Sequence, residues 1–263
     1  MILGLSHIAF GTDDIGRSAA RLAEFGYVLR FEEPTLDNNA AKATMLARYQ
    51  PSHHIRSLAA PGAMAVELLD HGALVGQQAA SLVPIFRCAS PPAAWQDREE
   101  SALPMAQGGW PLLELALGQR PRVAYDPELK MQLLWIASSE PPGLFACAMP
   151  TEDMEGLEAL LKALRFRADP VTGLWSLLTP LAALQARMIP VPYQSHPDWE
   201  LRAPLDAPGC PCIALMAGSG RAKPLGLQGE SMAFDITVNY TQCTITMIRP
   251  EHGPVIELVE QNT

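Results

Sequence analysis

The stretch "LSHIAFGTDDIGRSAARLAEFGYVLRFEE", residues 5–33, contains a complete strand, helix and strand in order. "LSHIAFGT" is typical of a strand, and Thr12 or Asp13 can cap a following helix. The helix is indicated by apolar residues at helical spacing, namely Ile15, Ala19, Leu22 and Phe25. Gly26 supplies a stop, and "YVLRFEE" then alternates like a strand with one wet face.

Two further apolar runs extend this unit to residue 70. "ATMLARYQ" (43–50) and "GAMAVELLD" (62–70) each predict a strand, with "PSHH" (51–54) as a surface connection between them. The first part of the chain is therefore a strand-helix-strand-strand-strand module covering 1–70.

The same order of elements recurs from residue 144. "LFACAMPTEDMEGLEALLKALRF" aligns without a gap to the opening stretch, so that the capping residues and the apolar helix face coincide. Gly26 and Tyr27 then correspond to Arg165 and Phe166. Weaker repeats of this pattern begin at Val83 and at Pro211. From Val83, "VPIFRCASPPAAWQDREESAL" is typical of a strand followed by the start of a helix. We therefore expect four modules, at 1–70, 82–138, 144–192 and 211–261, with no good helix between Ser219 and Met232.

Composition limits the classes of partner. The chain has 263 residues, 19 basic against 28 acidic side chains and a net charge of -9, which does not support binding to nucleic acid or anionic lipid. No apolar run approaches the roughly 18 residues of a membrane span, and the N-terminus lacks a secretion signal, so we expect a cytosolic protein with a small-molecule partner. The cysteines are odd in number and scattered, which is typical of reduced thiols: Cys88, Cys147, Cys210, Cys212 and Cys243.

A series of such modules, paired into curled half-barrel sheets, resembles the vicinal oxygen chelate (VOC) superfamily, which includes glyoxalase I, extradiol dioxygenases and bleomycin-binding proteins. The resemblance implies an α+β fold of tandem βαβββ modules, grouped as two domains at residues 1–140 and 141–263. It covers nearly the whole chain but is strongest in residues 5–31 and 63–70 and in the final strand.

The resemblance also implies where metal ligands would lie, in the middle of the first and last strands of a module. These places hold His7 and Glu67 in the first module and Glu257 in "VIELVE" of the last, with Cys212 as a further donor at the place of His7. In the other two modules Pro84 and Ala146 stand at the histidine place. Leu134 or a neighbour and roughly Arg187 stand at the glutamate place, and these pairs cannot bind a metal.

The pairing of modules decides whether these donors meet. If module one pairs with four and two with three, one barrel collects His7, Glu67, Glu257 and Cys212. If the modules pair in chain order, Glu257 is separated from the other two. The sequence leaves both arrangements open, together with a monomer or a homodimer.

Two functions follow from this set. An imidazole and two carboxylates suit one divalent ion of Fe, Mn, Ni, Co or Zn, which would hold two neighbouring substrate oxygens in an isomerase, lyase or dioxygenase reaction. Glu257 and Glu67 are then also the candidate catalytic groups. The alternative is a metal-free VOC protein that binds or sequesters a small molecule in an apolar groove.

The remaining histidines carry weaker predictions. His53 and His54 are expected in a loop beside Arg56, where they could contact substrate or nothing. His71, just past a strand, is expected to be exposed, though it could reach the barrel mouth. His196 and His252 are typical of turns. Five large side chains are expected to fill cores, although half-barrels can use such residues as a cavity wall: Tyr27, Trp135, Trp175, Tyr240 and Met247.

Overall fold

The computed structural model describes residues 2–179, 184–218 and 229–262. Its strands, in chain order, are β1 (Ile2–Gly11), β2 (Val28–Asp37), β3 (Ser52–Ala59), β4 (Val66–Asp70), β5 (Gln78–Ala79), β6 (Val83–Cys88), β7 (Gln96–Arg98), β8 (Arg122–Asp126), β9 (Met131–Ala137), β10 (Gly143–Thr151), β11 (Arg167–Ala168), β12 (Trp175–Leu177), β13 (Ala186–Pro192), β14 (Trp199–Glu200), β15 (Gly209–Ala217), β16 (Gly229–Val238), β17 (Thr241–Pro250) and β18 (Val255–Gln261). The helices are α1 (Ile15–Ala23), α2 (Gly109–Leu117) and α3 (Met154–Ala163), with short 3-10 turns at Ala40–Met45 and Glu100–Ala102.

The strands form two mixed sheets. Sheet A has the order β16-β17-β18-β15-β1-β4-β3-β2, with β5 and β14 attached beside it, and sheet B has the order β11-β12-β13-β10-β6-β9-β8-β7. Module one therefore pairs with module four, and module two with module three. Each sheet combines strands from both sides of residue 140, and the division of the chain at that residue stays a prediction.

Sheet A curls until its two edge strands approach each other. The backbone amide of Asn239, in the turn after β16, donates a hydrogen bond to Glu33 Oε1 of β2 at 2.8 Å. The hydroxyl of Thr44 likewise donates to Glu230 Oε1 of β16 at 2.7 Å. The right-handed twist of a mixed sheet produces this curvature, and the hydrogen bonds close the half-barrel at one side.

The first helix begins slightly later than the sequence predicts. The N-cap is Asp14, whose side chain accepts from the amide of Arg17, while Thr12 accepts from the amide of Asp14. The prediction of Thr12 or Asp13 as cap was therefore wrong by one or two residues. Gly26 ends this part of the chain with φ of +78°, a conformation that favours glycine.

The third module repeats this geometry. Asp153 caps α3 by accepting from the amide of Gly156, and Thr151 accepts from the amide of Asp153. Arg165 has φ of +71° at the place where Gly26 stands in the first copy. The aligned positions thus share their backbone conformation, and the ungapped repeat in the sequence is physically real.

Three local predictions were wrong. The third strand of module one is β3, at 52–59, rather than 43–50, and residues 40–45 form a 3-10 turn instead. Residues 51–54 therefore belong largely to a strand and not to a loop. In module two, β7 follows the first strand, and the helix α2 comes only afterwards. The expected lack of a helix between Ser219 and Met232 falls mostly on residues 219–228, outside the described part of the chain.

One core lies between the two sheets. It combines one face of sheet A, one face of sheet B and the buried sides of α1 and α3, with Leu5, Phe10 and Phe86 among its members. Tyr27 ties the sheets together, because its hydroxyl donates to the carbonyl of Met64 at 2.7 Å and accepts from the amide of Leu144. The opposite face of sheet B packs against α2, and the opposite face of sheet A lines a cavity.

Among the helices of the described residues, none is long and apolar enough to cross a membrane.

Candidate functional site

The far face of sheet A encloses a cavity of about 340 Å³. Its base is made by the central strands β1, β4, β15 and β18, and its walls come from β2, β3, β16 and β17 near the two edges of the sheet. A cavity of this volume suits a small metabolite and not a macromolecule.

Strand register brings the predicted site residues to the same face. His7 of β1 pairs with Ala214 of β15, which pairs in turn with Glu257 of β18. Glu67 of β4 and Cys212 of β15 both pair with Ala9 of β1. Because side chains alternate along a strand, residues in register share one face, and all four donors line the cavity.

A bulge in β1 sets the direction of His7. The pairing with β15 shifts between Leu5 and His7, so that Leu5 packs in the core between the sheets while Ser6 and His7 both line the cavity. An extra residue in one strand re-aims the following side chain. The bulge therefore belongs to the construction of the site.

His7 and Glu67 are in direct contact. The distance from His7 Nε2 to Glu67 Oε1 is 3.3 Å, and both side chains are buried. His7 Nε2 makes no hydrogen bond within the described residues, while Nδ1 lies 3.2 Å from Ser6 Oγ. A buried ring nitrogen without a donor or acceptor is costly unless a ligand completes it.

Burial shifts the protonation of the whole group toward neutral forms. It raises the pKa of Glu67 to about 7 and also raises the pKa of Glu257, which His7 partly offsets. Burial lowers the pKa of His7. The pKa of Cys212 is raised well above its usual value by burial and by the nearby Glu257, so its thiol stays protonated at neutral pH. Cys212 is therefore a poor donor for a metal in this state.

Solved structures with the same arrangement of sheets are known. Glyoxalase I from Zea mays is 12% identical, with 98% of this chain and 92% of that chain covered and a TM-score of 0.56. A mutant of the same enzyme gives 12% identity, 98% and 92% coverage and a TM-score of 0.59. A candidate dioxygenase from Bacillus subtilis gives 12% identity, 100% and 86% coverage and a TM-score of 0.51.

The chain has the fold of the vicinal oxygen chelate superfamily. The resemblance expected from the repeated modules is confirmed at the level of fold. No protein-family model matches the sequence, and no curated protein is significantly similar to it. The chemistry must therefore be argued from the cavity of this VOC fold.

The donor set fits a divalent metal by its chemistry. An imidazole nitrogen and two carboxylates are suitable ligands for the first-row transition metals, and His7 Nε2 is a buried atom without a hydrogen bond. Within residues 2–179, 184–218 and 229–262, however, no three His, Cys, Asp or Glu side chains are placed so that they could jointly hold an ion. Of the predicted ligands, His7 and Glu67 have side chains in direct contact.

Sheet B of the VOC fold has the same register with other residues. Ile85 of β6 pairs with Ala146 and Leu134, as Ala9 of β1 pairs with Cys212 and Glu67. The four positions that correspond to His7, Glu67, Glu257 and Cys212 are Val83, Leu134, Ile189 and Ala146. The expectations of Ala146 and Leu134 agree with this register. The predictions of Pro84 and Arg187 were wrong by one and two residues, since the corresponding positions are Val83 and Ile189.

Two further histidines line the cavity, a placement that the sequence offered only as the less favoured alternative for each. His53 of β3 is 5% exposed and His71, just after β4, is 7% exposed. Their rings stack with centroids 4.9 Å apart and an angle of 13° between planes. The predictions of a loop and of an exposed residue were wrong, because β3 begins at Ser52 and turns His53 inward. The alternation of His53, Ile55 and Ser57, which all line the cavity, was the available signal.

The other predicted residues lie elsewhere. His54 pairs with Glu32 at 2.8 Å, and His252 pairs with Asp153 at 3.1 Å. The amide of Asp198 donates to His196 Nδ1 at 3.2 Å, as expected of a turn.

The large side chains divide between cores and surface. Tyr27, Trp135 and Trp175 are buried in the core between the sheets, and Met247 is a buried residue of the cavity wall. Tyr240 is 99% exposed, so its placement in a core was wrong.

Proposed function

We propose that this protein is a VOC-fold enzyme that acts on a small metabolite in the cavity of sheet A, with one divalent metal held by His7, Glu67 and Glu257. The observation that carries the proposal is the buried Nε2 of His7, which has no hydrogen bond and lies 3.3 Å from Glu67 Oε1. Register places Glu257 on the same face. The metal would be Fe, Mn, Ni, Co or Zn, as these ions accept nitrogen and oxygen donors.

When bound, the metal would polarise two neighbouring oxygen atoms of the substrate as a Lewis acid. Glu67 and Glu257 face the same space and are the groups that we propose accept or return a proton during an isomerase, lyase or dioxygenase reaction. The wall residues Met247 and Ile245 are buried and apolar, so the bound substrate would be shielded from water.

A metal-free binding protein is the second candidate. It is favoured by the lack, among the described residues, of any three side chains placed to hold an ion together. In this case the cavity would retain a small molecule by its apolar walls and a few polar groups. His7 and Glu67 would then bind the ligand directly.

Metal analysis of protein purified without a histidine tag separates the two candidates. The wild type is stripped with a chelator, reconstituted separately with each of the five metals, desalted and measured by mass spectrometry and by thermal unfolding. We expect near-stoichiometric uptake of at least one metal and a raised midpoint, because a ligand that binds only the native state stabilises it.

His7→Ala and Glu257→Gln are expected to abolish this uptake without loss of the folded state. His54→Ala is the matched control, since His54 is paired with Glu32 away from the cavity donors. A wild type that takes up none of the five metals would overturn the metalloenzyme and leave the binding protein.

A further inference from the structure

A second group of polar side chains shares the cavity with the predicted metal ligands. It consists of Lys42 on the 3-10 turn Ala40–Met45, His53 on β3 and His71 after β4, and all three line the cavity. None of them belongs to the predicted donor set. Their presence in an otherwise largely apolar wall requires a ligand or an internal partner.

The two imidazoles have no internal partner for one nitrogen each. His53 Nδ1 and His71 Nδ1 are both buried and make no hydrogen bond within the described residues. The side chains are more than nine-tenths buried. Leaving a buried polar atom unpaired is unfavourable, so these nitrogens are expected to meet a ligand atom or an ordered water.

The charge of Lys42 partly opposes the rise that burial causes in the pKa values of Glu67 and Glu257, so Lys42 is close enough to interact with both carboxylates. Within residues 2–179, 184–218 and 229–262 its ammonium forms no ion pair, and its nearest recorded aromatic contact is the ring of Phe234, 5.3 Å from Nζ to the centroid. Its charge reaches both imidazoles, since it contributes to the lowered pKa values of His53, about 2, and His71, about 4. Burial is the larger cause for both.

The combination has the chemistry of an anion site. A neutral imidazole offers one N–H donor and Lys42 offers a positive charge with three donors. Hydrogen bonds to an ionised acceptor are stronger than neutral ones, and a carboxylate or phosphate has several oxygens to receive them.

We propose that Lys42, His53 and His71 form a subsite that binds a carboxylate or phosphate group of the small-molecule ligand. The proposal rests on the cavity being the ligand site of the proposed function, but it does not depend on a metal. It names the ligand class as an organic anion whose apolar body contacts Ile55 and Ile245 and whose other end reaches His7 and Glu67.

The test uses three probes that differ only in the head group on one ring: benzoate, phenyl phosphate and the neutral benzamide. Binding to chelator-treated protein is measured by calorimetry. We expect at least one of the two anions to bind tenfold or more tightly than benzamide, and the better one assigns the carboxylate or the phosphate.

Lys42→Met removes the charge and keeps the length of the side chain, and it is expected to abolish this preference. A double change of His53→Phe and His71→Phe keeps the stacked rings and removes the nitrogens, and should reduce the preference several-fold. Lys162→Met is the matched control, since Lys162 lies on α3 and pairs with Glu158. Circular dichroism checks that each variant is folded.

Equal binding of anions and benzamide by the wild type, no binding of any probe, or a preference that survives Lys42→Met would overturn the subsite. Metal uptake is measured separately on the same proteins, and Lys42→Met should not lose it, because removing a positive charge near Glu67 and Glu257 does not weaken a cation site. A chain that takes up no metal but loses its anion preference in Lys42→Met would contradict the metalloenzyme and support the subsite.

Discussion

Sheets A and B share one architecture but use their far faces differently. At four corresponding positions sheet A presents His7, Glu67, Glu257 and Cys212 to a cavity, whereas sheet B presents Val83, Leu134, Ile189 and Ala146 to a packed cluster. The helix α2 fills this second face with Trp110 and Leu113. The cavity of sheet A is instead lined in part by Lys42 from the 3-10 turn Ala40–Met45.

The difference shows what a half-barrel needs in order to hold a site. Strand register alone creates four positions that face one another, and it is the same in both sheets. Whether those positions become a site depends on the side chains and on what covers them. In sheet B the cover is apolar and complete, so the face stabilises the fold instead of binding a ligand.

The largest change in stability is expected from exchanging the residue types at two corresponding positions, Leu134 of sheet B and Glu67 of sheet A. Leu134→Glu would put a carboxylate into the packed face, where Leu134 is fully buried, and should lower the free energy of unfolding by about 5 kcal/mol or prevent folding. The reverse change, Glu67→Leu, should leave stability unchanged or raise it, because a buried carboxylate is removed. Urea unfolding measures both. Leu115→Glu, at a site 54% exposed on α2, is the control, and equal losses at positions 134 and 115 would contradict the comparison.

Trp110→Ala tests the role of α2 as a plug. Trp110 is buried against sheet B, and its truncation should cost about 4 kcal/mol of unfolding free energy. Binding of benzoate or of metal by sheet A should not change, as the two faces lie on opposite sides of the common core. Leu115→Ala on the same helix is expected to cost less than about 0.5 kcal/mol. A loss of ligand binding in folded Trp110→Ala would show that the two faces are coupled.

The buried imidazoles make sheet A sensitive to acid. Burial lowers the pKa of His71 to about 4, with Lys42 as a further cause and Asp206 as an opposing one. The unfolded chain therefore binds the proton more readily, and the stability of the wild type falls as the pH decreases from about 6.5 through 4.

The Phe side chain in His71→Phe cannot titrate. The unfolding free energy of this variant minus that of the wild type should therefore increase by on the order of 3 kcal/mol as the pH falls from 7 to 4. Urea unfolding at pH 7, 5 and 4 measures the difference. His196→Phe, in an exposed turn, is the control. Parallel pH profiles for wild type and His71→Phe would refute the effect of burial.

The smallest effect is expected at Phe234. Its ring lies under the ammonium of Lys42 at 5.3 Å, and a cation–π contact at a partly exposed site contributes about 0.5 to 1 kcal/mol. Phe234→Leu should therefore weaken the binding of the preferred anionic probe by a factor of about two to five through a less ordered Lys42. Phe145→Leu, whose ring contacts Arg87 and Arg187 on sheet B, should have no effect. A tenfold or larger loss in Phe234→Leu would indicate direct contact of the ring with the probe.

Several elements could be predicted because their signals are local. The apolar spacing of Ile15 and Leu22 and the polar segments 12–14 and 151–153 depend only on neighbours along the chain, so α1 and α3 were predicted from sequence, although the cap of α1 is Asp14 and not Thr12 or Asp13. Glu67 and Glu257 were proposed because they stand at the places where the resemblance to the VOC superfamily implies metal ligands. The strand β3 was misplaced because the apolar sequence "TMLA" is typical of a strand. In the structure Met45 is buried, but it belongs to a 3-10 turn.

The sequence by itself determined the repeated strand-helix unit at 5–33 and 144–166, since helix spacing, caps and strand alternation are set by residues a few positions apart. The resemblance to the VOC superfamily supplied the four candidate donors. Only the tertiary structure decided that β15 and β18 pair beside β1, that α2 closes sheet B, and that His53 and His71 stack inside sheet A. These outcomes depend on strand pairing and packing between residues far apart in the chain. Such contacts leave no periodic signal in one sequence, and for this reason Glu257 could be named as a candidate donor but not assigned to the cavity of His7.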